Sequence, residues 1–432
     1  MKTPEPSWSR RGVIGAAVAL PVGTAAASAA TPSVAIGDLS FIEAERRLVR
    51  AWDIDRSISN FDAAYYGAMP RVVHQDYLEH TDWVNRNNSL FLRSALPNLR
   101  RDDVLNRSRS EVAKLIGASM NEVALCTGGT EALYALITNY RPLKAGDAVI
   151  IADVDYDEMQ YAMAFLEESR GARLVRMSVP EPSTDANILA AYDRVLRDTP
   201  RAKLLLLTHL SNRNGLVPPV KEIIALAKAR GVDVILDSAQ AVGHLPFTVD
   251  EIGADFVGFS IHKWLAAPLG TGGIYIRKSR QDAIAPYMGN RIRDADDVRA
   301  RVLTGTINYA AHLAIPTAID FHRAIGPEAK LRHLQRLRDH WIDGVKDVPG
   351  IEILQPSPAP RYGAVAAFRL PRARDWEGAQ AMQKRILARN RLMVVAKRGL
   401  KSGPAMRVTP ALFTTIAELD RLIAAIREEA RT

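Results

Sequence analysis

At 432 residues, with 47% hydrophobic and 24% charged residues, the chain has ordinary globular composition and room for two or three domains, which excludes a disordered or fibrous polypeptide. The formal net charge of +9 is spread over lysines and arginines that never form a long run, so nucleic acid is not expected as a partner. A single cysteine, Cys126, excludes an intramolecular disulfide and a multi-cysteine metal site.

The first stretch reads as a targeting segment. Ser9-Arg10-Arg11-Gly12-Val13-Ile14 precedes an alanine-rich apolar run to Val22, and Ala27-Ser28-Ala29 is a small-residue cleavage pattern. Residues 1–29 are expected to be a twin-arginine signal peptide, recognised by the twin-arginine translocation machinery, with a periplasmic product. The apolar run is too short to span a bilayer and is broken by Pro21 and Gly23, so stable membrane insertion after cleavage is not expected. Residues 30–75 read as an N-terminal arm containing a helix from Phe41 to Trp52. Asn60 to Pro70 joins small residues to aromatics, as a plain turn or a close backbone approach to a ligand would. Tyr77 to Leu99, rich in Asn and Arg, fits a capped helix with a solvated face or the lining of a polar pocket.

From Val104 the pattern alternates strands with amphipathic helices. Strand-like runs fall at Val123–Cys126, Ala148–Ala152, Arg173–Val179, Lys203–Thr208, Val232–Leu236, Asp255–Phe259 and Gly273–Ile276. Such alternation predicts an α/β large domain, residues 76–309, whose mostly parallel sheet is sandwiched by helices. Two long helices (Ala310–Ile325, Glu328–Val348), short strands and a last helix (Thr415–Glu429) predict a smaller α+β domain over residues 310–432, with Pro349-Gly350 and Pro356 to Pro360 as punctuation.

Ligands of open α/β sheets sit at the carboxyl ends of the strands, and five of those ends carry chemistry. Thr127-Gly128-Gly129-Thr130 opens a helix, offering free N–H groups and a hydroxyl to an anion such as phosphate. Tyr156 could stack on a flat ring. Asn212 offers an amide, and Asp237, with Gln240 three residues on, offers a carboxylate that can keep a pyridine nitrogen protonated. Ser260-Ile261-His262-Lys263 ends the sixth run. A lysine near the end of a buried strand costs desolvation unless it is paired or bonded to an aldehyde. Each feature is ambiguous singly; together they describe a pyridoxal 5'-phosphate site.

With these residues, above all Asp237-Ser-Ala-Gln240 and Ser260-Ile-His-Lys263, the chain resembles the class V aminotransferase superfamily of fold-type I pyridoxal-phosphate enzymes from about Asn60 onward. That superfamily includes cysteine desulfurases and isopenicillin N epimerase-like proteins. The resemblance implies that Lys263 forms the Schiff base and moves the Cα proton. By the same resemblance Gly129, Thr130, Ser260 and His262 hold the phosphate, Asp237 the ring nitrogen, and Gln240 and Asn212 the phenolic oxygen. Tyr156 takes the stacking place, a histidine in the desulfurases. Gly305 and Thr306 match a pair that completes the phosphate site of a partner subunit, which implies a homodimer. Arg407 matches the arginine that receives a substrate carboxylate, against the plainer alternative of a solvated strand-end arginine.

A desulfurase carries a cysteine on a loop ahead of that arginine, and none lies between Val395 and Arg407. The remaining choices share one carbanion, so aminotransferase-type chemistry on a free or peptide-linked amino acid is the first expectation, with epimerase or lyase chemistry as the alternative. The export signal makes the chain similar to the periplasmic branch acting in pyoverdine maturation. A noncatalytic periplasmic binding protein is the alternative from another class. A nicotinamide dehydrogenase is disfavoured, because no Gly-x-Gly-x-x-Gly follows the first strand.

Overall fold

The seven strand runs assemble into one sheet. In chain order they are β1 (Val123–Cys126), β2 (Ala148–Ala152), β3 (Arg173–Met177), β4 (Ala202–Thr208), β5 (Asp233–Asp237), β6 (Phe256–Ser260) and β7 (Gly272–Ile276). Their spatial order is β1-β7-β6-β5-β4-β2-β3. β7 runs antiparallel to both its neighbours, and the other pairings are parallel. Every residue of β2, β6 and β7 is buried, as strands covered by helices on both faces require. The computed structural model describes residues 34–303, 305–355 and 361–431. The expected signal peptide, Thr304 and the Pro356 to Pro360 punctuation lie outside the described residues.

A smaller antiparallel sheet follows, ordered Val395–Lys397, Ala405–Val408, Ala366–Arg369, Glu352–Ile353. Ser59–Asn60 pairs in parallel with Leu392–Met393, and Asp62 bridges Thr409, so the stretch before Pro70 is stitched to this sheet. It then turns to the large sheet, where the Gly67 amide donates to the His262 carbonyl at 2.9 Å.

Several expectations need adjustment. The stretch from Tyr77 belongs to a helix, Arg71–Leu92, and lines no part of the cleft described below. The helix expected over Ala310–Ile325 is two, Tyr309–Leu313 and Ile315–Ile325, broken just before Pro316, which cannot donate to the preceding turn. Two further helices, Arg101–Leu115 and Trp376–Asn390, were not foreseen. None of the described helices is long and apolar enough to cross a membrane.

Candidate active site

A cleft of about 630 Å³ opens at the carboxyl ends of the large sheet, between it and the stretch near Asp62. Gly129, Thr130, Tyr156, Asn212, Asp237, Gln240, Ser260, His262, Lys263 and Arg407 all line it. Those from Gly129 to Lys263, up to 134 positions apart in the chain, are gathered by strand order, because each ends or follows a strand of the large sheet, whereas Arg407 comes from the small sheet's strand Ala405–Val408.

At one end lies an anion cradle. The helix Gly129–Thr138 begins with no side-chain cap, so its first-turn amides are available to a ligand. The Gly129 amide donates to Ser260 Oγ at 3.1 Å. A Cβ on Gly129 would lie 2.8 Å from Ser260 Oγ and 3.1 Å from Ala239 Cβ, and one on Gly272 would lie 2.4 Å from Gly128 Cα. Glycine is therefore required for this close approach. His262 Nδ1 hydrogen-bonds the Thr271 carbonyl at 2.8 Å, which fixes the ring, while burial holds its pKa below the usual range.

The floor carries Asp237 and Lys263. Asp237 ends β5, is buried, and accepts from the Ala239 amide at 2.9 Å. Burial raises its pKa and the charge of Lys263 opposes that rise. Burial likewise lowers the pKa of Lys263, against the pull of Asp237, so the amine is more readily neutral than an exposed lysine. Gln240 donates from Nε2 to the Ala64 carbonyl at 2.7 Å and accepts from Trp264 Nε1 at 2.8 Å. These bonds fix its amide with one N–H left over. Half-buried Tyr156 is hydrogen-bonded to Glu158, and burial pushes its phenol pKa up.

Arg407 and the Gly305–Thr306 pair stand apart from the cradle. Arg407 is only 2% exposed and is no solvated strand-end residue. Its Nη1 donates to the Asn212 carbonyl at 2.8 Å and its Nη2 is ion-paired with Asp62. Gly305 and Thr306 do not join the cleft of their own chain. Both are exposed, and Gly305 lines a separate small pocket with Arg101, Arg293 and Arg299. The sequence missed Asp62, Glu158 and Lys397, which shape or line the same cleft. Strand alternation around Arg407 was the available signal for Lys397; Asp62 sat in a stretch singled out only for its small residues.

A buried acid facing a buried lysine, beside a glycine-built anion cradle, fits a phosphorylated pyridine aldehyde. The chain's cysteine fits nothing reactive: Cys126 is buried, its Sγ sits 3.3 Å from the Gly128 carbonyl oxygen, and burial pushes its thiol pKa far up.

The model of the family described as aminotransferase class-V matches residues 69–422. The isopenicillin N epimerase of Streptomyces clavuligerus is 28% identical over 391 residues, covering 86% of this chain and 95% of that protein. A cysteine desulfurase of Synechococcus elongatus is 30% identical over 385 residues, 85% of this chain and 60% of its own length. Among solved structures, a C-DES variant with glycine covalently linked to its PLP cofactor superposes with a TM-score of 0.74 at 18% identity, covering 87% of this chain and all of that one.

Proposed function

Because the chain belongs to the aminotransferase class-V family, we propose that it is a pyridoxal-phosphate enzyme that removes and returns the Cα proton of an amino acid, in the manner of an epimerase. The observation that carries this is the buried Lys263 set against Asp237 on the floor of a cleft that also holds the Gly129–Ser260 cradle. The epimerase relatives support this choice better than the transamination expected first. Desulfuration through a protein persulfide is disfavoured by the burial of Cys126 and the lack of a thiol before Arg407.

When bound, pyridoxal phosphate supplies an electron sink that acidifies the substrate Cα–H. Ser260, Thr130 and the first-turn amides of the helix Gly129–Thr138 would hold its phosphate. Asp237 would hold the pyridine nitrogen, and the spare Gln240 N–H and Asn212 the phenolic oxygen. Lys263 Nζ, which burial holds more readily as the free amine, would take the Cα proton and return it.

Incubating the enzyme with L-amino acids in D₂O tests this. Deuterium at Cα and appearance of the D-isomer, without a 2-oxo acid, is the expected result. A 2-oxo acid formed with amino transfer to an acceptor would establish transamination instead.

Two further parts of the proposal concern location and assembly. Arg10-Arg11 ahead of an apolar run supports export through the twin-arginine machinery to the periplasm, which fractionation of cells carrying R10K/R11K would check. The exposure of Gly305 and Thr306 away from their own cleft supports a homodimer in which each copy lends them to the other. Light scattering that gives a monomer mass would overturn it.

A further inference from the structure

We propose that Tyr156 is a second proton-transferring residue, set to serve the face of the substrate's Cα opposite Lys263. The inference deepens the epimerase reading above and rests on it.

Inversion needs a proton removed from one face of Cα and another delivered to the opposite face. One side chain does both only by swinging past the flat cofactor, whereas two side chains on opposite sides need no such movement. The large sheet supplies the second arrangement. With the pyridine nitrogen held at Asp237, the ring lies over the end of β5, and Lys263 follows β6, which flanks β5 on one side. Tyr156 follows β2, on the other side, across β4. Three strand spacings of roughly 4.8 Å put the two backbone attachments roughly 14 Å apart with the ring between them, and both side chains line the cleft.

Other proton-carrying groups of the cleft are placed for different tasks. His262 is fixed on the Thr271 carbonyl beside the cradle, Tyr65 and Tyr66 are exposed, and Lys397 belongs to the small sheet, on the strand paired with that of Arg407. Glu158, two residues beyond Tyr156 and also lining the cleft, hydrogen-bonds its hydroxyl. Burial first and this carboxylate second hold the phenol pKa up, so Tyr156 keeps its proton at neutral pH until Cα takes it. The charge of Glu158 also favours the protonated form of Lys263.

In the step proposed, the Cα–H bond breaks, its proton goes to Lys263 Nζ, and the electron pair is held by the cofactor. The Tyr156 O–H bond then breaks, its proton bonds Cα on the opposite face, and the bonding electrons stay on the phenolate oxygen. Lys263 afterwards releases its proton to water and the phenolate regains one by way of Glu158, so no proton is consumed overall.

The test compares wild-type and Y156F holoenzymes in D₂O, with both isomers of each amino acid used in the experiment above, followed by proton NMR at Cα and chiral chromatography. Loss of the hydroxyl should slow inversion roughly 10²–10⁴-fold, the range of a general acid or base. One isomer should still exchange its α-hydrogen for deuterium through Lys263, and the other should not. Phenylalanine keeps the ring, so absorbance titration of the apo variant with pyridoxal phosphate should give the wild-type affinity. A Y156F enzyme that exchanges both isomers or neither, or that inverts at the wild-type rate, overturns the inference alone. So does a loss of about tenfold or more in cofactor affinity, the size of one lost hydrogen bond, because the hydroxyl would then hold the cofactor. A wild type that inverts no amino acid overturns the functional reading beneath it.

Discussion

Replacing Asp237 with asparagine separates the function of this carboxylate from its effect on folding. The side chain is buried, and burial raises its pKa, so the ionised form destabilises the apo protein at any pH above the value in the unfolded chain. Asparagine keeps an oxygen for the Ala239 amide, now 2.9 Å away, and removes the buried charge. The apo D237N protein should therefore melt no lower than the wild type, apart from the loss of attraction to Lys263. Cofactor binding should change in the opposite direction. A hydrogen bond to a charged partner is worth about 1.5–3 kcal/mol, so losing the one to the pyridine nitrogen should weaken cofactor affinity roughly 10- to 150-fold. Absorbance titration of apo protein with pyridoxal phosphate, beside calorimetric melting, reads both. Unchanged affinity would refute the placement of the ring nitrogen at Asp237.

G129V puts a branched side chain where a Cβ alone would lie 2.8 Å from Ser260 Oγ; cofactor affinity should fall more than tenfold with the fold intact by circular dichroism, an estimate that rests on losing one anion contact. C126A should leave any sulfur release from cysteine unchanged, and native Cys126 should resist iodoacetamide until denaturant is added, because its thiol is buried with a raised pKa. Lys330 is buried against the Trp264 carbonyl and His322, and burial lowers its pKa to about 7. Between that value and the ordinary lysine value of about 10.4 the unfolded chain binds more protons, so this group makes stability rise with pH across that window. K330M should be stabilised relative to wild type most at pH 7 and below, with the difference in urea midpoint shrinking toward pH 10.

Much of the large sheet was legible because strands buried on both faces are written as short continuous apolar runs. β1 and β2 begin and end at the residues expected. β5 and β6 each begin and end one residue later than expected, at Asp233–Asp237 and Phe256–Ser260, with the ladder running through Asp237 opposite Gly258 and Ser260 opposite Gly272. Polar residues at those ends hid the last rung. The helix Arg101–Leu115 was invisible because it buries Ser108 and Arg109 beside Val112 and Ala113, which blurs the apolar period. Trp376–Asn390 buries only Ala379, Met382 and Ile386, too sparse a stripe to stand out. The cofactor residues were legible because each follows a strand of one parallel set, whereas the Asp62–Arg407 ion pair joins positions 345 apart through the small sheet, a contact that no local pattern encodes. Lys397 was missed for a related reason: a lone lysine in a strand looks like an exposed edge residue until its neighbours' partners are known.

The central claim is that Lys263 holds pyridoxal phosphate covalently in this cleft. It is tested most directly by the visible spectrum of the purified protein and of Lys263→Ala, each with and without borohydride, followed by mass analysis of the peptide containing residue 263. A visible band that borohydride abolishes in the wild type, with the cofactor fixed to Lys263 and no such adduct in the variant, is the predicted result. A wild type that stays colourless after pyridoxal phosphate is added, or an adduct on another lysine, would contradict it.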